Sequence, residues 1–573
     1  MRKLSKFFAV MLAGVSMFTF AACGGNGNKG GTTADENKTA LYIRYYNAGF
    51  GNRWLTAAEE RFEKMYENVS FESGKTGVDI IIDPSDSKSD FMNDMKTQRD
   101  YVYFAEKFDM TSYYSADVME DLTDALTTPL NESFGTDVNG NPLPVYEGET
   151  KSVYDKMSQG EKEYYSIVDG ENVKLYAIPY IDCYNGTLTY DAEDFEKYGL
   201  YFNENNVIGA KKSSGVKLGV GPDGVSGTAD DGLPRTYDEF FQVCKRIKTS
   251  ANKYPFVWCG NYSGYTTELV NNLFLQNAGS QFVADMLKGE GTVPDYITDN
   301  VTLAGDYVYN YNTKAETFNA SSFNKIYHSA SVFNAADFMY RVIKEKYADE
   351  TKCFTGTYLN TSAQKDFFFG KNTFMVDGTW WFNEAEKHIA AYEQQNASKN
   401  KDRYNRDVQY MALPKADEAT FERTKGENVV GSKYITACVV KKGLTETQKL
   451  IAKTFVRFYC TDESLAEYNA IVSTPRGLDY TLTPDQYNAL TPYGKSLYNI
   501  KTGQNGFNTY KVNYLRSGSD FYKTNYSVFD NGMFESSPTG LGKFTAIANA
   551  YKDKMSSGLD SIKYFNGILE AHN

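Results

Sequence analysis

The stretch Phe374-Met-Val-Asp-Gly-Thr-Trp-Trp-Phe-Asn-Glu384 determines how the rest of the chain is interpreted. It predicts a short apolar strand at 374–376, a turn at Asp377-Gly378 and a helix that begins at the two tryptophans. Neighbouring residues on a helix point about 100° apart, so Trp380 and Trp381 cannot both face one core. We expect one to pack inward and the other to form a flat cleft wall. The alternative is that both are core anchors.

Length and charge restrict the class of protein. The chain has 573 residues, more than one hydrophobic core usually supports, which predicts at least two lobes. Its formal net charge is −13 and it has no basic run, which argues against nucleic acid as a partner. The chain has three histidines, His328, His388 and His572, and they are well separated. A histidine-based zinc site is therefore not expected, and no Gly-x-Ser-x-Gly motif points to a serine hydrolase.

The first 22 residues have the pattern of a signal peptide, with early positive charges and an apolar run at 7–20 too short to span a bilayer. Two alanines precede Cys23 and a glycine follows it, which resembles a bacterial lipobox with Phe20 at the usual leucine position. The resemblance implies cleavage before Cys23, diacylation of its sulfur and a lipid anchor on the extracellular face of the cell membrane. Residues 23–40 are then the anchor and a flexible Gly-, Asn- and Thr-rich tether.

Six further cysteines show no Cys-x-x-Cys spacing and could pair in fifteen ways. Two of them, Cys438 and Cys460, lie in apolar runs, which favours buried free thiols. The six are Cys183, Cys244, Cys259, Cys353, Cys438 and Cys460.

The folded part begins with a β-α-β-α-β pattern. Apolar runs at 41–46, 78–82 and 101–104 predict three strands of an open parallel sheet, with helices between them. Ligands of such sheets bind beyond the carboxyl ends of the strands. These ends provide three candidate ligand-binding residues, Tyr46, Asn47 and Asp109.

The order of the following motifs resembles family 1 extracellular solute-binding proteins of ABC importers, especially the carbohydrate-binding members. Each motif is weak alone, and the resemblance rests on their order over about residues 41–480. They are Tyr176-Ala-Ile-Pro179, Tyr184-Asn185, Phe195-x-x-x-Gly199-Leu200, Pro234-x-Thr236-Tyr-x-Glu239-Phe240, the aromatic segment 366–370, Gly378-x-Trp380, Met411-Ala-Leu-Pro414, the Gly-led strand 431–437, Thr461-Asp-Glu463 and Ser473-Thr-Pro475.

The resemblance implies an α/β, two-lobed fold of the type II periplasmic-binding-protein class, with a ligand cleft between discontinuous lobes. It divides a solute-binding domain at 41–573 into a first lobe at about 41–177 and 431–470 and a second at about 178–430 and 471–573. Crossovers are expected near 177–181, 425–432 and 470–474. The implied function is capture of a carbohydrate, an oligosaccharide above all, and its delivery to an ABC importer by a monomer that needs no cofactor.

The resemblance also proposes site residues. Trp380 occupies the position where several sugar-binding relatives stack a sugar, and Asp377 beside it either accepts sugar hydroxyls or only stabilises the turn. Trp258, Asn261 and Tyr262 form a strand-to-loop segment where relatives place a second platform, although Trp258 and Tyr262 could equally be core residues. Three further candidates follow or adjoin the crossovers, and the last of them could instead form a surface ion pair: Asp182, Tyr184 and Arg476.

The loop 221–232 contains four glycines and three aspartates, Asp223, Asp230 and Asp231. Hard oxygen ligands on a Gly-rich loop favour Ca²⁺, although the spacing is not that of an EF-hand. We expect either a structural calcium site or an exposed Asp-Gly turn.

Two other functions stay open at this point. The cleft could bind another solute such as a peptide or polyol. A surface glycan hydrolase would need two carboxylates about 5–10 Å apart across a sugar. Asp377 and Glu384 qualify in residue type alone, and no hydrolase motif accompanies them.

Overall fold

The computed structural model describes residues 33–46, 49–85, 91–106, 108–170, 172–262, 264–431, 435–504, 506–515 and 560–572. The predicted signal peptide, Cys23, much of the tether and Asn47 lie outside these ranges. Within them, the structure has no helix with the length and apolar character that a membrane span requires.

The first lobe is built on a five-stranded sheet. Its strand order is Val78–Ser85, Thr39–Tyr46, Val102–Ala105, Ala437–Val440 and Ala177–Ile178. The first three strands are parallel, as the β-α-β-α-β pattern predicts, and Ala437–Val440 runs antiparallel to both of its neighbours. Side chains of Thr39–Tyr46 alternate between buried and partly buried, whereas Val102–Ala105 is buried throughout, as expected at the centre of a covered sheet.

Helices and one hairpin cover this sheet. Thr445 caps one of the helices through a reciprocal capping box with Gln448. The helices are Arg53–Met65, Phe91–Thr97, Met110–Ser115, Thr123–Thr127, Gln159–Tyr164, Glu446–Tyr459, Asp462–Val472 and Pro484–Asn488, and the hairpin pairs Ser166–Asp169 with Asn172–Leu175.

The second lobe is built on a four-stranded sheet in the order Phe256–Trp258, Phe374–Asp377, Thr187–Asp191 and Val408–Met411. Phe256–Trp258 and Phe374–Asp377 are parallel, and Thr187–Asp191 is antiparallel to the strands on either side. The predicted strand at 374–376 is thus a central strand, and its carboxyl end delivers Asp377 to one edge of the sheet.

The remaining elements belong to the second lobe or join the two lobes. The helices are Ala192–Tyr198, Lys212–Ser214, Tyr237–Arg246, Ile247–Ala251, Gly264–Ala278, Ser280–Lys288, Ala320–His328, Ala330–Lys344, Asn360–Phe368, Trp381–Glu384, Glu386–Asn396, Ala397–Lys399, Glu418–Arg423, Pro492–Thr502, Val512–Tyr514 and Ser561–His572. The short strands are Tyr201–Phe202, Ile208–Ala210, Gly291–Ile297, Thr302–Gly305, Val308–Asn310, Thr313–Phe318, Glu427–Val430 and Asn508–Lys511.

Two separate hydrophobic cores confirm an α/β fold with two discontinuous lobes. The first core contains buried residues between 41 and 183 and again between 435 and 498. The second contains residues between 184 and 430, then Tyr493 to Phe507, and Phe565 and Leu569 near the C-terminus. Val472 and Leu490 belong to the first core, so the segment 471–490 packs on the first lobe. The sequence had assigned this segment to the second lobe, with the third crossover near 470–474.

The chain crosses between the two cores three times: the first crossing segment lies at Cys183 and Tyr184, the second between Val430 and Ile435, and the third between Leu490 and Tyr493. The backbone N–H of Ile181 donates to Thr436 Oγ1 (3.2 Å), which joins the first crossing segment to the second. The backbone N–H of Asp182 donates to the carbonyl oxygen of Pro475 (3.2 Å), which joins the first crossing segment to the first-lobe segment 471–490. These hydrogen bonds define a hinge between the lobes.

All six cysteines in the described part of the chain are buried and free, as their apolar surroundings predict.

Candidate functional site

Trp380 lies between the lobes at the end of the strand Phe374–Asp377. It stands directly before the helix Trp381–Glu384, with helical backbone angles. Its ring lies over Gly378, where an added Cβ would come within 2.1 Å of the ring. Its Cδ1 edge faces Gly49 of the first lobe, where an added Cβ would meet it at 3.3 Å. The ring is only partly buried, so it forms a flat apolar wall between two glycines.

Trp381 points the other way, into the second core, and is fully buried. It packs edge-to-face on Phe367, with ring centroids 5.6 Å apart, and on Tyr493 at 5.3 Å. The two adjacent tryptophans therefore divide as predicted, one in the core and one between the lobes.

Asp377, Gln364 and Glu384 form a hydrogen-bonded group behind Trp380. Asp377 is 2% exposed and accepts the backbone N–H of Gly378 (2.7 Å), so it stabilises the turn. Gln364 Nε2 donates both to Asp377 Oδ2 (3.0 Å) and to Glu384 Oε2 (2.6 Å). Burial, and then the nearby Glu384, raise the pKa of Asp377 well above its usual range. A protonated Asp377 can donate as well as accept a hydrogen bond.

This arrangement does not support a glycan hydrolase built on Asp377 and Glu384. Both carboxylates bind the same nitrogen atom of Gln364, so no sugar ring fits between them. A hydrolase needs its two carboxylates on either side of the bond that is cleaved.

Tyr265 was missed in the sequence. It lies in the first turn of the helix Gly264–Ala278, beside the Trp380 side chain. Burial, and then the Asp377 and Glu384 charges, raise the pKa of Tyr265. Glu268 lies three residues further along the same helix face and adds to the charge near Asp377. The sequence pattern that could have identified Tyr265 is the aromatic loop after Trp258, because this loop runs directly into a helix.

The prediction that Trp258 is a second platform is wrong. Trp258 is 1% exposed, its Nε1 donates to the carbonyl oxygen of Cys353 (2.7 Å), and it packs edge-to-face on Phe354 (5.3 Å). Tyr262, in contrast, is 57% exposed, and Asn261 beside it is partly buried. The segment after the strand thus contributes Tyr262 and Asn261 to the surface, while Trp258 is a core residue.

The three candidates near the crossovers are buried in the hinge, which makes the predicted ligand contacts wrong. Asp182, 2% exposed, accepts from the Tyr184 hydroxyl (3.1 Å) and from Lys511 Nζ (2.5 Å). Arg476 is fully buried, with its guanidinium 3.4 Å above the centre of the Tyr459 ring. It reaches neither the cleft nor the surface.

Of the first-lobe candidates that the structure describes, Tyr46 ends the strand Thr39–Tyr46, as predicted, and Asp109 follows the strand Val102–Ala105. Tyr46 is partly buried, and burial, followed by the Glu106 charge, raises its pKa. Asp109 caps the helix Met110–Ser115 by accepting the backbone N–H of Ser112 (2.7 Å), which gives it a structural role.

Two further contacts join the lobes beside Trp380. Arg53 of the first lobe forms an ion pair with Glu386 of the second (3.1 Å). Asn383 Nδ2 donates to the carbonyl oxygen of Val472 (2.6 Å). The lobes therefore also meet at residues three and six positions after Trp380.

In the loop 221–232, Asp223 and Asp230 face each other. The backbone N–H of Asp223 donates to Asp230 Oδ2 (3.0 Å), while Asp223 Oδ2 is buried without a hydrogen-bond partner in the described structure. Burial, and then the Asp223 charge, raise the pKa of Asp230 to about 7. Asp231 accepts the backbone N–H of Gly227 (2.8 Å) and stays outside this pair.

The residues that the structure describes include no group of three or more His, Cys, Asp or Glu side chains placed to hold a metal ion. The unpartnered oxygen of Asp223 fits a cation held by Asp223 and Asp230, with further oxygen ligands needed from the backbone. The predicted third ligand, Asp231, does not fit that arrangement.

A two-lobed α/β fold with a hinge and an aromatic wall between the lobes defines a ligand-binding receptor. A family profile described as bacterial extracellular solute-binding protein matches residues 62–478. The chain belongs to this family, which is one of binding proteins. No curated protein matches the chain in sequence.

Among the solved structures that are similar to this chain, one agrees with it in fold. A chitin oligosaccharide binding protein is 14% identical, with 94% of this chain and 98% of that chain covered and a TM-score of 0.52. RafE in complex with raffinose is 13% identical, with coverage of 92% and 99% and a TM-score of 0.48. Maltose-bound MalE3 of T. maritima is 15% identical, with coverage of 93% and 99% and a TM-score of 0.48.

Proposed function

We propose that this protein is a membrane-anchored receptor that captures an oligosaccharide between its lobes and delivers it to an ABC importer. The observation that carries the proposal is the position of Trp380, a partly exposed ring between the lobes with hydrogen-bonding groups around it. A sugar has apolar C–H faces and a rim of hydroxyl groups. Trp380 suits the faces, and Tyr265, Glu384 and Tyr262 suit the rim.

The expected binding energy is consistent with a reversible receptor. A tryptophan side chain has roughly 150–250 Å² of surface. Covering a third of it at about 25 cal/mol per Å² contributes about 1–2 kcal/mol. Hydrogen bonds from hydroxyl groups to carboxylates add to this, and closure of the lobes excludes water from them.

The partners follow from the family and the leader sequence. We infer that the protein works as a monomer, that lipidated Cys23 holds it on the extracellular face of the membrane, and that the importer's membrane subunits receive the ligand. Binding alone moves the ligand, so the proposal assigns the protein neither an enzymatic activity nor a required cofactor. The fold shared with a chitin oligosaccharide binding protein supports an oligosaccharide as the first choice of ligand.

The experiment is a ligand screen by thermal shift on the chain from Gly24 onward. Chito-, malto- and galacto-oligosaccharides, polyols and short peptides are compared, and products are analysed by chromatography. We expect one oligosaccharide class to raise the melting temperature and to be recovered intact. Stabilisation by peptides alone, or release of shortened glycan, would overturn the proposal.

We also propose a structural calcium ion at Asp223 and Asp230, and its effect on stability should depend on pH. Without a cation, the folded Asp230 keeps its proton up to about pH 7, whereas its ordinary pKa is 3.8. The free energy of unfolding should therefore fall as pH rises from about 4 to about 7. Millimolar CaCl₂ should raise the melting temperature more at pH 7.5 than at pH 5, because Asp230 loses its proton in this interval.

The matched control for calcium is the double variant D223N/D230N, which should lose both the calcium response and the pH dependence. An unchanged melting temperature of the unmodified chain in CaCl₂ and in a chelator at pH 7.5 would rule the ion out. Magnesium, which prefers a stricter octahedral shell, should have the smaller effect.

A further inference from the structure

The segment 506–515 contacts both lobes. On the second lobe, Phe507 is part of the hydrophobic core and Val512 packs against it. The strand Asn508–Lys511 runs parallel to Glu427–Val430, which directly precedes the second crossing segment. The segment 506–515 thus lies beside the second crossing segment of the hinge.

The same segment also packs on the first lobe. Tyr514 lies against the first core, and its hydroxyl is hydrogen-bonded to that of Tyr165 (3.1 Å). Tyr165 donates in turn to the carbonyl oxygen of Thr436 (2.6 Å) in the second crossing segment. Gly160 has no room for a side chain, because an added Cβ would lie 2.5 Å from Tyr514 Cβ. Close packing therefore fixes the segment on the helix Gln159–Tyr164.

Lys511 is the charged centre of this contact. Its Nζ lies 2.5 Å from Asp182 Oδ1 beside the first crossing segment and 3.5 Å from Glu161 Oε1 in the first lobe. Both carboxylates are 2% exposed. Burial opposes the charge on Lys511, but Asp182 and Glu161 outweigh it and raise its pKa, so the side chain stays charged. Removing this cation would leave two buried carboxylates without their partner.

Asp182 connects three parts of the chain. It lies beside the first crossing segment, its backbone N–H donates to the carbonyl oxygen of Pro475 in the first-lobe segment 471–490, and its carboxylate binds Lys511. Any rotation of one lobe against the other must move the segments of this hinge. The strength of the Lys511 contacts therefore enters the energy difference between lobe arrangements.

We propose that segment 506–515 is a fourth interlobe connection and that Lys511 is a positioning residue for ligand capture, because its ion pairs with Asp182 and Glu161 hold the lobes in the arrangement seen here. The proposal rests on the proposed function only in assuming that the lobes close on a ligand. It predicts that weakening the Lys511 contacts favours more open arrangements of the ligand-free protein.

The test is small-angle X-ray scattering and amide hydrogen exchange on the ligand-free chain from Gly24 onward, comparing the unmodified protein with K511M and K511R. We expect a larger radius of gyration for K511M and exchange at least about tenfold faster in peptides covering 178–185 and 427–431. K511R keeps the charge and should restore both values most of the way.

The matched control is K253M. Lys253 also pairs with a buried carboxylate, Asp194 at 2.7 Å, but both residues lie within the second lobe. This variant should lose stability without a change in the radius of gyration or in exchange at the hinge. If K511M shows the same pattern as K253M, Lys511 stabilises the fold alone and the proposal fails. Since the test uses no ligand, that outcome would leave the proposed function untouched.

Discussion

Replacing Trp381 with alanine is expected to lower the free energy of unfolding by about 3–5 kcal/mol, since a fully buried ring is removed from the second core. The partners that would line the resulting cavity are Phe367, Phe368, Phe382 and Tyr493. Urea unfolding followed by circular dichroism measures the loss. The control is W380A, one position earlier, which removes the same side chain from a partly exposed site.

The W380A variant, in contrast, should lose little stability and much of its affinity for the ligand. The Trp380 ring is only partly buried, against two glycines and the edge of the first core, so we expect a loss of no more than about 1–2 kcal/mol in unfolding free energy. Affinity for the oligosaccharide found by the thermal-shift screen should fall at least about tenfold, as measured by titration calorimetry. If W380A retains full affinity, or is as unstable as W381A, then Trp380 is not a ligand platform.

The fold could be predicted from the sequence because its signals are local and periodic. Three apolar runs separated by helical segments predict parallel strands, and the structure pairs Ile43 with Ile82 and with Val102 in that sheet. The split between Trp380 and Trp381 also follows from helix geometry alone. These features depend on residues close to one another in the chain.

The site was predicted less completely because burial depends on distant residues. Asp182 follows a crossover and is the right type of residue for binding hydroxyl groups, but its partner Lys511 is 329 positions away. Trp258 ends a strand, and only the packing of Cys353 and Phe354 shows that it is a core residue. Arg476 is buried because aromatic rings and backbone carbonyl groups replace water around its guanidinium, an arrangement without a local sequence pattern.

The buried ion pair between Arg406 and Asp191 should contribute strongly to the stability of the second lobe. Arg406 binds both carboxylate oxygens of Asp191, at 3.0 and 2.6 Å, and donates to the carbonyl oxygen of Phe368 at 3.3 Å. The two side chains are 3% and 2% exposed. The pair joins the end of the central strand Thr187–Asp191 to the residues that lead into Val408–Met411.

The variant R406M is expected to lose about 3–5 kcal/mol in unfolding free energy, because it leaves Asp191 buried without its cation. The double variant R406M/D191L should recover much of that loss, since a buried pair replaced by apolar groups of similar size is often nearly neutral.

The control for R406M is R99A. Arg99 also forms a two-point contact with a carboxylate, that of Asp83, but is 42% exposed. Its loss should cost no more than about 1 kcal/mol. Equal losses in R406M and R99A, measured by urea unfolding, would show that burial does not set the strength of the Arg406 contact.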